Sequence, residues 1–187
     1  MDATEVTKKL FTADEYYRMG EAGIFGEEAR LELIEGEIIE MSPVGNRHIA
    51  CVNRAGALFA SRLAGKAMFS IQNPFLLSRY TEPQSDIVLA RPREDYYAGK
   101  RISPEDTLLV IEVSDTTLRY DRNRKMPLYA KSGVCELWIE NLQSDVILVY
   151  RDPGPQTYST EITLHRGESI SVAAFPEVVF KVDEFLG

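Results

Sequence analysis

The chain has 187 residues, which is enough for one domain with a substantial core. Its hydrophobic content of 44% and charged content of 27% are ordinary for a soluble globular protein, and no apolar run is long enough to cross a bilayer. The formal net charge of −8 argues against broad non-specific binding of nucleic acid, which relies on surplus Lys and Arg, but leaves room for a local basic patch or a cation held by carboxylates.

The two cysteines, Cys51 and Cys135, both lie in apolar contexts and are predicted to be reduced core residues. They form no CxxC or Cys/His grouping, which argues against a zinc site. The N-terminal segment MDATEVTKK lacks the apolar core of a signal peptide. We therefore expect a cytoplasmic protein without a membrane segment.

The first third of the chain predicts two helices on either side of a hairpin. A capping box at residues 12–15 begins a short helix. The pattern LELIEGEIIEM over residues 31–41 divides around Glu-Gly and predicts a β-hairpin with a tight turn. Asn46 is expected to cap the next helix, which should cover residues 47–63.

The middle and the end of the chain predict short strands and no internal repeat or linker. The last segment, PEVVFKVDEFLG, should add a strand or a short helix that docks on the core. We predict strands over 67–71, 74–77 and 86–89, a long surface loop over 90–105, and antiparallel strands over 146–150 and 157–165.

Residues 107–140 form the unit around which the rest of the chain is organised. An apolar strand over 108–113 precedes a helical pattern over 118–131, and a second apolar strand follows over 134–139. Strand, helix and strand within about thirty residues predict a crossover between parallel strands. Pro127 must kink the helix or begin a new helical segment, because its ring forbids a regular bond to the preceding turn.

Three acidic residues occupy strand positions where the apolar pattern predicts burial. Glu112 interrupts LLVIEVS, Asp86 opens DIVLA, and Glu32 interrupts LELI. Two carboxylates about 5 Å apart repel by roughly 3 kcal/mol at an effective dielectric near 20, so converging carboxylates must share a proton or bind a cation. Oxygen ligands without thiolates or a histidine cluster favour Mg²⁺ or Mn²⁺, and such a site leads to phosphodiester chemistry.

A basic stretch directly follows Glu112 and leaves two interpretations open. It is either a solvated helix face or the cationic partner of the acids, and the pattern alone does not separate the two. His48 lies in the first turn of a predicted helix, where it is either structural, exposed or functional. The charged residues of LRYDRNRKMPLYAK are Arg119, Arg122, Arg124, Lys125 and Lys131 with the single acid Asp121.

These features resemble the PD-(D/E)XK nuclease superfamily, whose core is helix, three strands, helix, strand. More closely, the chain is similar to the Uma-two family of restriction-endonuclease-like proteins. The similarity extends from FTADEYYRM through LELIEGEIIEMSP and RH to LLVIEVSDTTLRYDRNRKMPLYAKSGVCELWIEN. The resemblance implies an α/β (α+β) fold with this core in a mixed sheet, an N-terminal hairpin and C-terminal antiparallel strands in a single domain over 1–187.

The resemblance also implies metal ligands. Asp86 and Glu112 match the two motif acids, and the backbone carbonyl of Val113 would be a further ligand. Glu32 matches the glutamate of the ELIxGE motif and would complete the metal shell. Ser85 stands where the family usually has a proline, which contributes no chemistry.

A second departure from the superfamily pattern concerns the catalytic lysine. Ser114 replaces the motif lysine two residues beyond the second acid, and the family is thought to move that lysine onto the following helix, where Lys125 matches. Lys125 would then assist the attacking water and stabilise charge in the transition state. Gln84 and His48 match polar positions near the site.

Three hypotheses of different classes remain. The leading one is a Mg²⁺-dependent endonuclease (Mn²⁺ being the other candidate cation) that acts on DNA, with Glu32, Asp86, Glu112 and Lys125 as catalytic residues and metal-activated water. A homodimer would serve this chemistry, because cutting both strands of a duplex usually calls for two sites. The second is a non-catalytic nucleic-acid- or protein-binding domain that retains the nuclease fold. The third is another carboxylate-pair hydrolase such as a glycosidase, which Lys125 argues against.

Overall fold

The structure, a computed structural model, describes residues 6–26 and 28–187. Residues 1–5, part of the segment considered for a signal peptide, lie outside the described residues. No helix within these ranges is long and apolar enough to span a membrane. The elements of the first half are α1 (Ala13–Glu21), β1 (Leu31–Ile34), β2 (Glu37–Glu40), α2 (Asn46–Arg62), β3 (Met68–Ile71) and β4 (Ile87–Ala90).

The second half contains most of the sheet. A short 3₁₀ turn at Pro104–Asp106 precedes β5, and a π-helical turn at Asp121–Lys125 joins α3 to α4. The elements of the second half are β5 (Thr107–Ser114), α3 (Leu118–Tyr120), α4 (Met126–Lys131), β6 (Glu136–Asn141), β7 (Val146–Pro153), β8 (Tyr158–His165), β9 (Ser169–Ile170), β10 (Phe180–Lys181) and α5 (Val182–Leu186).

The central sheet has six strands in the order β3-β4-β5-β6-β7-β8. Strands β3, β4 and β5 are antiparallel neighbours, β5 and β6 are parallel, and β6, β7 and β8 are again antiparallel. The α3–α4 segment connects the parallel pair, which confirms the predicted crossover and the helix, three strands, helix, strand core. The fold is a mixed α+β architecture, as the resemblance implied.

The two faces of the sheet carry separate apolar cores. Because successive strand residues point to opposite faces, Ile111 and Trp138 pack under α2 and α5, whereas Val110 and Leu137 pack under α4. Glu112 follows the parity of Val110 and therefore faces the α4 side. The sheet thus presents this acid to the helix that carries the basic stretch.

The crossover helix is not a regular α-helix. In the π-helical turn the backbone N–H of Met126 bonds the carbonyl of Asp121, five residues earlier. Pro127 lies at the start of α4, where a residue without an N–H cannot bond the carbonyl of Asn123. Of the two outcomes predicted for Pro127, a kink or a new helical segment, the structure shows the second, directly after the π-helical turn.

The predicted hairpin is confirmed as the two-stranded sheet of β1 and β2. Its two turn residues, Glu35 and Gly36, have φ values of 51° and 81°, which is the backbone of a type I′ turn. A Cβ on Gly36 would lie 2.6 Å from the Cβ of Leu10, so the N-terminal segment lies close against the turn. Only glycine fits there.

Three local predictions were wrong. Residues 74–77 form no strand; Phe75 and Leu77 are buried, but the segment pairs with 81–84 only through isolated bridges and turn bonds. Gly45, not Asn46, is the N-cap of α2, and it offers no side-chain bond. Cys135 is exposed, because it lies in the connection before β6, while Cys51 is buried as predicted.

Candidate active site

The ends of β4 and β5 bring two of the predicted acids together. Ile87 pairs with Ile111 in the antiparallel register, so Asp86 lies opposite Glu112 one step beyond the paired residues. The backbone N–H of Val113 donates a hydrogen bond of 2.8 Å to Oδ2 of Asp86. This bond holds the Asp86 carboxylate against the end of β5.

Lys125 reaches the site from the π-helical turn. Its Nζ lies 3.2 and 3.3 Å from the two carboxylate oxygens of Glu112, and it donates to the carbonyl of Gln84 at 3.3 Å. The hydroxyl of Tyr129 also donates to Glu112, and it lies 2.9 Å from the hydroxyl of Ser85. The lysine that the resemblance places on this helix therefore contacts the second acid directly.

Glu32 enters the same cluster from the hairpin. Its Oε2 lies 3.2 Å from Nζ of Lys125 and accepts the backbone N–H of Gln84 at 3.2 Å. Its Oε1 accepts the hydroxyl of Tyr120 at 2.9 Å. Glu32 is fully buried, so its charge is balanced by Lys125 and two neutral donors rather than by water.

The electrostatics keep Lys125 charged. Burial by itself would lower the pKa of Lys125, but the carboxylates around it outweigh that effect and raise its pKa above the usual value. Burial raises the pKa of Glu112, and the ammonium of Lys125 opposes that rise. The carboxylates that raise the pKa of Lys125 are, in decreasing order, Glu112, Glu32, Asp121 and Asp86.

His48 and Gln84 border the cluster in different ways. His48 lies in the first turn of α2, as predicted, with Nε2 3.1 Å from Asp86, while its Nδ1 is buried without a hydrogen-bond partner. The Gln84 side chain donates to the carbonyl of Gln72 at 2.7 Å, so only its main chain contacts the cluster. His48 thus contacts Asp86 itself, and the Gln84 main chain contacts Glu32 and Lys125.

Sequence reasoning missed Asp121, which it treated as the lone acid of a basic run. Asp121 is buried and accepts hydrogen bonds from Ser114 at 2.6 Å and Thr117 at 2.7 Å. Burial raises its pKa, and Lys125 opposes the rise. The available signal was spacing, since Asp121, Lys125 and Tyr129 recur every four residues and share the inner face of the helix.

Glu140, near the end of β6, was also missed. It pairs in register with Val113 and is fully buried, and neither carboxylate oxygen has a hydrogen-bond partner. Burial, with a contribution from the charge of Asp86, raises its pKa to about 8, and Arg54 opposes the shift. The run ELWIE contained the signal, an acid at the end of an apolar strand, as Glu112 did.

The acids open into a cavity of about 860 Å³, whose lining includes Asp86, Glu112, Arg119 and Lys125. The carbonyl of Ser114 accepts from Leu142 on the β6 side, so alternation places the carbonyl of Val113 on the side of Asp86.

The carboxylate oxygens of Asp86 and Glu112 and the carbonyl oxygen of Val113 fit a hard cation. Mg²⁺ takes one or two carboxylates and completes its shell with water and phosphate oxygens. Among the residues that the structure describes, no group of three or more His, Cys, Asp or Glu side chains is arranged to hold a metal ion. Lys125 lies between Glu32 and Glu112.

Comparisons with known proteins agree with this architecture. The chain superposes on a crystal structure described as a putative nuclease belonging to DUF820 from Anabaena variabilis ATCC 29413, with a TM-score of 0.71 and 17% identity, over 94% of this chain and 97% of that chain. At that identity the likeness concerns the fold. No curated protein matches the chain.

The family comparison covers nearly the whole sequence. The Uma2 family, described as "putative restriction endonuclease", matches residues 13–183, which include both strands of the hairpin, the crossover and every residue of the cluster described above. The match agrees with the resemblance found in the motifs LELIEGEIIEMSP and LLVIEVSDTTLRYDRNRK. The chain belongs to the Uma2 family.

Proposed function

We propose that the protein is a Mg²⁺-dependent endonuclease that hydrolyses DNA phosphodiester bonds, with Mn²⁺ able to replace Mg²⁺. The family and the fold support a nuclease function. The observation that carries the proposal is the ammonium of Lys125 at 3.2 Å from both Glu112 and Glu32, beside Asp86, at the wall of an open cavity. Carboxylates and a charged lysine together suit a phosphate substrate.

In this proposal Asp86, Glu112 and the carbonyl of Val113 hold the cation. A bound Mg²⁺ would polarise the scissile phosphate and lower the pKa of a water molecule. The backbone N–H of Val113 and the ring of His48 hold Asp86 in place. Glu32 faces the same centre, and its contacts with Tyr120 and Gln84 limit how far it can move toward a cation.

Lys125 would act as a fixed positive charge. The carboxylates around it raise its pKa, which favours the protonated ammonium and suits it to act as a donor. It can donate a hydrogen bond to a phosphate oxygen and stabilise the negative charge that grows in the transition state. Loss of one such donor typically costs a factor of about 10² to 10³ in turnover.

The cluster bears on the alternatives as well. A glycosidase needs two carboxyl groups across an open cleft, whereas here Lys125 contacts both Glu32 and Glu112. The non-catalytic domain gains support from the same contacts, because Lys125 already neutralises much of the acid charge. Metal binding separates that hypothesis from the nuclease.

Calorimetric titration of Mn²⁺ into wild-type protein, Asp86→Asn, Lys125→Ala and Glu94→Gln at near-neutral pH and low salt tests the proposal. Asp86→Asn should abolish binding, because it removes a charged ligand while keeping an oxygen that can accept from Val113. Lys125→Ala should retain binding and lose cleavage of supercoiled plasmid DNA. Glu94 is exposed and does not line the cavity, so Glu94→Gln should bind like wild type.

Two results would contradict the proposal. If Asp86→Asn bound Mn²⁺ as tightly as wild type, the ligand set would be wrong. If wild type bound no divalent cation with or without DNA, the non-catalytic domain would be the better hypothesis. Thermal melting of each variant shows whether a loss reflects the site or the fold.

A further inference from the structure

A second groove continues from the cavity along the outside of the crossover helix. It has a volume of about 310 Å³ and shares Arg119 and Asn123 with the lining of the larger cavity. The two shared residues place the groove next to the cavity. The groove is therefore placed to receive the continuation of a long ligand bound in the cavity.

The groove is cationic in an acidic protein. Within the described residues, its lining is Leu118, Arg119, Arg122, Asn123 and Met126, with two arginines and no acid. The net charge of the whole chain is −8. The groove thus attracts a polyanion locally, although the negative net charge of the whole molecule repels one.

The arginines are free to bind a ligand. Arg119 is exposed and takes part in none of the ion pairs found among the described residues. Arg122 pairs with Glu161 at 3.0 Å, but both side chains are nearly half exposed. Such a surface pair contributes at most about 1 kcal/mol, so a phosphate can replace Glu161 at little cost.

The helix carries the residues proposed for DNA binding and those proposed for catalysis on different faces. Arg119, Arg122 and Asn123 are spaced at i, i+3 and i+4 and share the outer face, while Asp121 and Lys125 are buried on the inner face. Arg119 and Arg122 precede Lys125 by six and three residues on the same helical segment, so they are placed to contact phosphates that neighbour the scissile one.

We propose that this groove, through Arg119, Arg122 and Asn123, binds backbone phosphates of the DNA strand next to the scissile bond. The inference rests on the proposed nuclease function and assigns its substrate-binding track. Binding is to phosphates, so it is independent of base sequence. It fixes the register of the strand on the enzyme.

The test is the salt dependence of DNA binding, measured by fluorescence anisotropy with a labelled duplex and Ca²⁺ in place of Mg²⁺ to suppress turnover. Each phosphate contact contributes a slope of about −0.9 to log K against log salt. Arg119→Ala and Arg122→Ala should each reduce the slope by about one unit and weaken binding about five- to tenfold at 0.1 M salt. Arg119→Lys should restore most of the slope.

Arg93→Ala is the matched control, because Arg93 is an exposed, ion-paired arginine outside both cavities. The slope of log K against log salt for Arg93→Ala should equal that of wild type. If wild type binds DNA and Arg119→Ala keeps the wild-type slope and affinity, the groove assignment is overturned while the nuclease proposal stands. If wild type binds no DNA, both are overturned.

Discussion

Lys125 shows how a single buried cation can organise several carboxylates. An isolated ammonium in a protein interior loses its proton, whereas Lys125 lies against Glu112 and Glu32 at 3.2 Å and is kept charged by them. Removing one member of such a group leaves the others uncompensated, which typically costs about 3 to 5 kcal/mol. The site is therefore a structural unit as well as a chemical one.

Glu140 is the opposite case, a buried carboxylate without a compensating donor. Its pKa is raised from the usual 4.5 to about 8, so between these values the folded protein holds a proton that the unfolded chain has released. The folded state binds more protons in this window, and the free energy of unfolding must fall as pH rises from about 4.5 to about 8. At most about 5 kcal/mol is lost across the window, at about 1.4 kcal/mol per pKa unit.

Glu140→Gln is expected to remove this contribution, because glutamine stays neutral at every pH. Urea unfolding from pH 5 to 9 should give a variant that is close to wild type in acid and more stable than wild type above about pH 8. The exposed control Glu94→Gln should keep the wild-type pH profile. If the free energy of unfolding fell with pH equally steeply in Glu140→Gln and wild type, Glu140 would not titrate in this range.

At the scale of elements, the π-helical turn positions Lys125 against the carboxylates of Glu112 and Glu32. Residues 121–125 widen the helix just before Pro127, and Asp121 fixes the turn to the end of β5 through Ser114. Ser114 thus anchors the helical segment that carries Lys125.

Ser114→Ala tests this anchor. A hydrogen bond to a charged group contributes about 1.5 to 3 kcal/mol, and the variant leaves buried Asp121 with Thr117 as its remaining hydroxyl donor. We expect the free energy of unfolding to fall by about 1 to 3 kcal/mol. Ser159, an exposed hydroxyl bonded to a backbone carbonyl, provides the control, whose change to alanine should cost less than about 0.5 kcal/mol. Equal losses for the two variants would argue against the anchor.

Sequence patterns predicted the elements whose burial is regular and missed those set by distant contacts. The crossover was predictable because apolar runs specify its strands locally, and the hairpin was predictable because a Glu-Gly turn specifies it locally. Residues 74–77 look like a strand but pair with a neighbouring turn, which only the fold reveals. Glu32, Asp86 and Glu112 were found as acids in apolar strands, whereas the burial of Asp121 depends on a helix packing against β5.

At the scale of the molecule, four carboxylates surround Lys125 at the place where a cation would be bound. A ligand that binds only the folded state stabilises it by mass action, by about 2.7 kcal/mol at one hundred times its dissociation constant. For a chain of this length 1 kcal/mol shifts the melting temperature by roughly 2 to 4 °C. Metal binding should therefore be visible in the stability of the whole protein.

The expected result is a rise of roughly 5 to 10 °C in the melting temperature of wild type at saturating Mn²⁺. Differential scanning calorimetry with and without the cation measures it. Asp86→Asn should show no rise, and Glu94→Gln should show the full one. A rise that persists in Asp86→Asn would place the stabilising cation elsewhere.

The way the hairpin is attached bears on how this site could change during evolution. The turn is joined to remote segments by main-chain bonds, from Phe11 N–H to the Gly36 carbonyl at 2.9 Å and from Gly36 N–H to the Tyr80 carbonyl at 2.7 Å. Main-chain bonds do not depend on which side chains the bonding residues carry. The hairpin that delivers Glu32 can therefore keep its place while its neighbours drift in sequence, provided that position 36 remains glycine.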